Sequence, residues 1–170
     1  MAQAKAQPKK AQSKTDKKPL KVIADNRRAR HEYEIIEVFE AGIELQGTEV
    51  KSMRNGKANL QDAFARIEKG ELWLYNCHIA PYDFGNRFNH DPLRKRRLLM
   101  HKNQILKLHQ QVKEKGLTLI PLKLFFKRNL VKVDLALAKG KQLYDKRDSI
   151  TKRDSKRQLD RLVKQTYRHG

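Results

Sequence analysis

From Val131 to Ala138 the chain reads VKVDLALA, with Val131, Val133, Leu135 and Leu137 on one side and Lys132, Asp134, Ala136 and Ala138 on the other. Such a two-residue period belongs to a half-buried strand and to no helix. From Lys139 onward the alternation stops and basic residues dominate. The sequence therefore predicts a folded body over residues 22–138, a basic N-terminal tail over 1–21 and a basic C-terminal tail over 139–170. One domain with tails suits a chain of 170 residues.

Lys and Arg number 39 against 19 Asp and Glu, a net charge of +20. The two tails carry +6 and +7 of this in far fewer residues than the body, which holds the remaining +7. A field of this kind attracts polyanions. A membrane surface would call for an amphipathic helix with aromatic anchors, which is not prominent, so nucleic acid is the expected partner and no membrane is expected. Cys77 is the sole cysteine and is expected in the core. There is no secretory-type apolar run near Met1 and no apolar stretch of spanning length, so a cytoplasmic location is expected.

Tyr33 to Phe39 is a β-branched and aromatic run that predicts a strand, with a turn at Gly42 before Ile43 and Leu45 resume the pattern. Thr48 is a candidate cap for a short helix ending at Asn55-Gly56. Ala63 to Glu68 and Glu71 to Tyr75 flank Lys69-Gly70 as a hairpin, and His78 to Ala80 is read as an extension of the same sheet. Residues 81–97, PYDFGNRFNHDPLRKRR, form a long loop with three aromatics and the cluster Arg94, Lys95, Arg96 and Arg97, a composition suited to stacking on bases and meeting phosphates. Ile105, Leu106, His109 and Val112 predict a helix closed by Gly116. Leu117 to Phe126 reads as a strand whose apolar phase flips at Pro121, which implies a bulge there, and Lys127-Arg128-Asn129 turns the chain into the strand of the opening.

Five or six short antiparallel strands with minor helices, one of them longer and set between strands, describe an all-β fold of oligonucleotide-binding type, a small antiparallel barrel. No catalytic chemistry is visible. The six histidines lack zinc-type spacing, no carboxylate pair stands out, and Lys139-Gly140-Lys141 lacks the flanking signals of a phosphate loop, so neither enzyme activity nor a metal or other cofactor is expected. The C-terminal tail has helical propensity, with Leu159, Leu162, Val163 and Tyr167 on one face, but no core of its own. It is expected to be disordered or partly helical alone and to become helical on RNA.

Several segments carry a resemblance: Asn26-Arg27-Arg28-Ala29, the run FEAGIELQGTEVKS from Phe39 to Ser52, Gly56-Lys57-Ala58-Asn59, NRFNHDP from Asn86 to Pro92, Arg97-Leu98-Leu99, and Ala138-Lys139-Gly140-Lys141 with Tyr144-Asp145-Lys146-Arg147. In this order they closely resemble small protein B, the SsrA-binding protein family of bacteria. The resemblance implies a barrel that binds the transfer-RNA-like domain of transfer-messenger RNA (tmRNA, SsrA RNA) and delivers it to stalled ribosomes for peptide tagging and rescue. It implies that Glu40, Leu99 and Lys132 lie on the RNA-binding face, with Asn26, Arg27 and Arg28 nearby; Arg94, Arg96 and Arg97 are added from the basic loop. It further implies that the tail enters the empty messenger channel of the 70S ribosome, with Lys139, Gly140, Lys141, Tyr144, Asp145, Lys146 and Arg147 meeting small-subunit RNA near the decoding centre. A monomer is expected, with no small-molecule substrate. The runner-up is a general basic RNA-binding or ribosome-associated protein on the same barrel.

Overall fold

The computed structural model of the chain describes residues 20–142 together with Ser155, Gln158 and Leu159. Nine strands and three α-helices occur within residues 20–142: β1 (Lys21–Asp25), α1 (Arg27–Glu32), β2 (Tyr33–Ile43), α2 (Gly47–Arg54), β3 (Ala58–Asn59), β4 (Phe64–Glu68), β5 (Glu71–Tyr75), β6 (His78–Ile79), β7 (Arg96–Leu99), α3 (Lys102–Lys115), β8 (Thr118–Lys127) and β9 (Leu130–Gly140). Six strands follow one another in the order β8, β4, β5, β7, β2, β9, and β9 pairs back to β8, so the antiparallel sheet closes into the expected barrel. Closure between β4 and β8 is short, with Ala65 opposite Leu119. β1 extends the sheet along the far half of β8, from Phe126 to Lys123.

The strand from which the sequence argument started closes this barrel between β2 and β8. Val133, Leu135 and Leu137 of β9 are buried in the main core with Leu72, Leu74, Leu98, Leu119 and Leu124. Pro121 is indeed where the β8–β9 register shifts, which turns Leu124 and Phe126 to the face that Leu119 occupies. Arg128 and Asn129, both at positive φ, make the two-residue turn between β8 and β9, and Lys69-Gly70 makes its counterpart between β4 and β5.

The outward residues of β9 do not all meet solvent. Ala136 is fully buried in a second, smaller cluster with Ala29, Ile120 and Leu122, against which Tyr33 and Ile35 pack. Ala29 belongs to α1, so this short helix lies on the outer wall of the barrel, where small alanines on both elements permit a close approach. No such helix was predicted, since six residues containing three arginines show no apolar stripe. Its start is held by Asn26, whose Oδ1 accepts from the Ala29 N–H at 3.0 Å.

Four other local expectations shift. β2 runs through Gly42 without turning, because Gly42 pairs with Lys132 on one side and Leu99 on the other. α2 is capped by Gln46 rather than Thr48, through a reciprocal box with Glu49. His78 and Ile79 leave the main sheet and pair with Ala58 and Asn59. In α3 the buried residues are Ile105 and Leu108, with Val112 half-buried, so Leu106 and His109 face outward: the stripe follows i, i+3, i+7 rather than the adjacent residue.

β9 continues to Gly140, two residues past Ala138. Gly140 pairs with Tyr33 and Lys139 with Glu34, while the Lys141 N–H donates to the Glu32 carbonyl at 2.9 Å. The chain therefore leaves the barrel beside α1. Tyr144, Asp145, Lys146 and Arg147 lie outside the described residues; further on, Ser155, Gln158 and Leu159 are helical.

Candidate nucleic-acid interface

Alternation along β2 and β9 brings Glu40, Lys132 and Asp134 to the outer wall of the barrel. Glu40 stands opposite Asp134, and Gly42, two residues on, stands between Lys132 of β9 and Leu99 of β7. Lys127 reaches over from the end of β8 to place its Nζ 2.6 Å from Glu40 Oε2, while Lys132 Nζ lies 3.9 Å from Oε1. Glu40 is thus flanked by two cations, each with spare donors. Leu99 is half exposed beside them, and Gly42 makes room for it: a Cβ there would come 3.1 Å from Leu99 Cβ. Burial lifts the Asp134 carboxyl above its usual range and the nearby Glu40 adds to this, against Lys123, Arg30 and Lys127.

A patch of this make-up can engage RNA in three ways at once. The lysines meet phosphates, the Glu40 oxygens accept from base amino groups, and Leu99 offers an apolar shelf to a sugar or a base face. Glu40, Leu99, Lys127 and Lys132 come from β2, β7, β8 and β9, so no local spacing joins them.

The expected N-terminal residues divide. Arg27 is almost wholly exposed and lies 3.8 Å from Asp25; Arg28 bridges Glu32 at 2.7 Å and Asp62 at 3.6 Å and remains half exposed. Asn26, by contrast, is buried and its amide is spent, since besides capping α1 it donates to the carbonyls of Leu60 at 2.9 Å and Pro121 at 3.2 Å. It positions the arginines without reaching the surface itself.

The basic run of residues 94–97 departs most from expectation. Arg96 is fully buried. Its guanidinium donates to Glu49 Oε1 and to the carbonyls of Cys77, Arg94 and Pro92 at 2.6–3.0 Å, which leaves no surface for a phosphate. Arg94 closes on Glu49 from the other side through Nε and Nη2, at 2.9 and 2.5 Å. Burial pushes the Glu49 carboxyl up, but the hydrogen bonds from Arg94 and the Gln46 N–H and the charge of Arg96 outweigh it and hold the group below the usual carboxylate range. On the opposite side of the strand, Arg97 bridges Glu44 and Glu71 at 2.9 and 3.1 Å, and the Lys95 ammonium sits 4.8 Å from the centre of the Trp73 ring. These four cations bind carboxylates and a ring of their own protein. Four like basic residues in a row carry no periodicity that separates Arg94 and Arg96 from Lys95 and Arg97, and Glu49 lies more than forty residues earlier in the chain, so no local signal could have found this pairing.

Lys139 and Gly140 sit at the far end of β2 from this patch. With a rise of about 3.4 Å per residue, Tyr33 and Gly42 stand roughly 30 Å apart, so the tail departs well away from Leu99. Among the described residues no three of His, Cys, Asp and Glu gather as a metal site, and no helix is long and apolar enough to cross a membrane.

The chain has many relatives. The SsrA-binding protein of Pelotomaculum thermopropionicum is 62% identical over 149 residues, 88% of this chain and 97% of that protein. The SsrA-binding protein of Desulforamulus reducens is 64% identical over 152 residues, 89% of this chain and 94% of that one. A solved chain described as "tmRNA-SmpB: a journey to the center of the bacterial ribosome" superposes with a TM-score of 0.60 at 56% identity, over 70% of this chain and 84% of the other. The family model for SmpB protein matches residues 23–165, nearly the whole chain, and the protein belongs to that family.

Proposed function

We propose that this protein is an RNA-binding adaptor of trans-translation. The barrel binds the transfer-RNA-like domain of tmRNA, and the tail after Lys141 enters the empty messenger channel of a stalled 70S ribosome, where it substitutes for codon pairing against small-subunit RNA. Its contribution is positioning, without a chemical step or cofactor of its own, and it works as a monomer in the cytoplasm. The reading is supported by relatives named for binding SsrA RNA and by a solved neighbour described with tmRNA and the ribosome.

The observation that carries it is the patch in which Glu40 lies between Lys127 and Lys132 beside the exposed Leu99. A general polyanion binder needs cations alone; a carboxylate kept in place among them, next to an apolar shelf, suits selective contact with one folded RNA. Arg27 and Arg28 extend the charge along the wall, and Lys139, Gly140 and Lys141 lead the tail away from it toward the decoding centre, where Tyr144, Asp145, Lys146 and Arg147 act.

Truncation after Gln142 tests the division of labour, since it spares the Lys141 contact to Glu32. The truncated protein should bind the transfer-RNA-like domain as the full chain does and lose tagging on stalled ribosomes. Equal loss of both, or equal affinity of the full chain for the transfer-RNA-like domain and an unrelated duplex of the same length, would sink the proposal.

A further inference from the structure

The long loop predicted to meet RNA contributes little through its basic end, yet its aromatic end is presented in an unusual way. Phe84 is 83% exposed and Phe88 is 65% exposed, and they lie on a loop that is tightly held. The Asn89 amide closes it on both sides of Tyr82, accepting from the Tyr82 N–H at 2.9 Å and donating to the Tyr82 carbonyl at 3.0 Å. The Gly85 and Phe88 N–H groups donate to the carbonyls of Tyr82 and Gly85 at 2.8 and 2.9 Å. Lys57 anchors Asp83 at 2.7 Å, and Thr48 Oγ1 donates to the Phe88 carbonyl at 3.4 Å, which docks the loop on the start of α2. Gly85 is required by this closure, for a Cβ there would lie 2.5 Å from Asn89 Oδ1. Phe84 meets the Tyr82 ring edge-on at 5.7 Å, which steadies it, yet most of both phenyl rings stays in water, where burial contributes little.

Between this loop and α2 lies an open cleft of about 520 Å³, within the usual size range of small-ligand sites. No carboxylate lines it, whereas Lys51, Arg87 and His90 do. Acids close to the lining residues in sequence are engaged elsewhere, Asp83 by Lys57, Glu49 by Arg94 and Arg96, and Asp91 by the Leu93 N–H. Lys51 and Arg87 have no carboxylate partner among the described residues and instead rest 5.5 Å from the Tyr82 ring centre and 5.3 Å from that of Phe88. Aromatic faces interleaved with uncommitted cations form the pattern that stacks an unpaired base and neutralises its phosphate. Three residues, Glu44, Leu45 and Gln46, join the end of β2 that carries Gly42 to α2, whose first residues line the cleft, and the Glu44 N–H donates to the Arg97 carbonyl of β7 at 2.9 Å.

We propose that this cleft is a second RNA site, in which an unpaired base of the transfer-RNA-like domain stacks on Phe84 and Phe88 while Lys51 and Arg87 receive the adjoining phosphate. The proposal rests on the adaptor reading and extends the RNA track from the Leu99 patch around the end of β2. It is tested by titrating the full-length protein with a synthetic transfer-RNA-like domain across a range of NaCl concentrations. F84A/F88A should weaken binding by about tenfold or more with the salt slope unchanged, and F84Y/F88Y should restore it. K51Q/R87Q should flatten the slope of log K against log salt by about 0.7–0.9, the loss of one neutralised phosphate. Binding of F84A/F88A within twofold of the parent would overturn the site. So would a loss confined to ribosome association with RNA affinity intact, which would give the rings to another partner. If the parent itself ignored the RNA, the adaptor reading would fall, and this inference with it.

Discussion

Replacing Glu49 by Gln keeps the shape of the side chain and removes only its charge. In the native protein that charge compensates Arg96, which is fully buried, and Arg94, which is three-quarters covered. Breaking a buried pair by neutralising one partner costs about 3–5 kcal/mol, because the other charge stays in a dry site without compensation. With a domain stability of about 5–15 kcal/mol, this is a large share. At a urea m-value of about 2 kcal/mol/M it moves the unfolding midpoint down by about 2 M. Trp73, the single tryptophan, lies on the neighbouring strand and reports the transition by fluorescence. Arg94→Ala should cost less than E49Q, since Arg96 still serves Glu49 and Arg94 is partly solvated. The sign of the pH effect follows from the depressed folded-state pKa of Glu49. Its stabilisation is complete above the unfolded carboxylate value of about 4.3 and is lost as pH falls through the lower folded value, so the parent should lose stability in acid more steeply than E49Q. A midpoint shift under about 0.5 M for E49Q, or acid profiles of equal steepness, would refute the assignment of this cluster as a structural clamp.

Asn26→Ala removes the cap of α1 and leaves the Leu60 and Pro121 carbonyls without their donor, so it should cost about 2–4 kcal/mol in the same urea assay and weaken RNA binding through displaced arginines. Leu99→Ala should change stability by about 1 kcal/mol or less, given its exposure, yet weaken binding to the transfer-RNA-like domain several-fold; unchanged affinity in a filter-binding titration would remove Leu99 from the interface. Cys77 is buried, which pushes its thiol up to about 11, so alkylation at pH 8 should proceed at the rate of unfolding and rise sharply in E49Q; rapid labelling of the native protein would contradict its burial.

The features that were legible in the chain are those with a local period or a local turn. VKVDLALA, the Pro121 phase flip, Lys69-Gly70 and Gly116 each act through the backbone geometry of a few neighbouring residues, so sequence alone determined the strands, the bulge, the hairpin and the helix end. Charge distribution and motif order likewise pointed to RNA and to the family. Only the tertiary structure decided which charges are available to it. Arg96 and Arg27 are the same residue type in equally basic surroundings, yet one is sealed around Glu49 and the other projects into water. Their difference depends on residues far away in the chain, as does the meeting of Glu40, Leu99 and Lys132 across three strands. Solvation and pairing are set by distance in space, and barrel closure brings together groups that the sequence keeps dozens of residues apart.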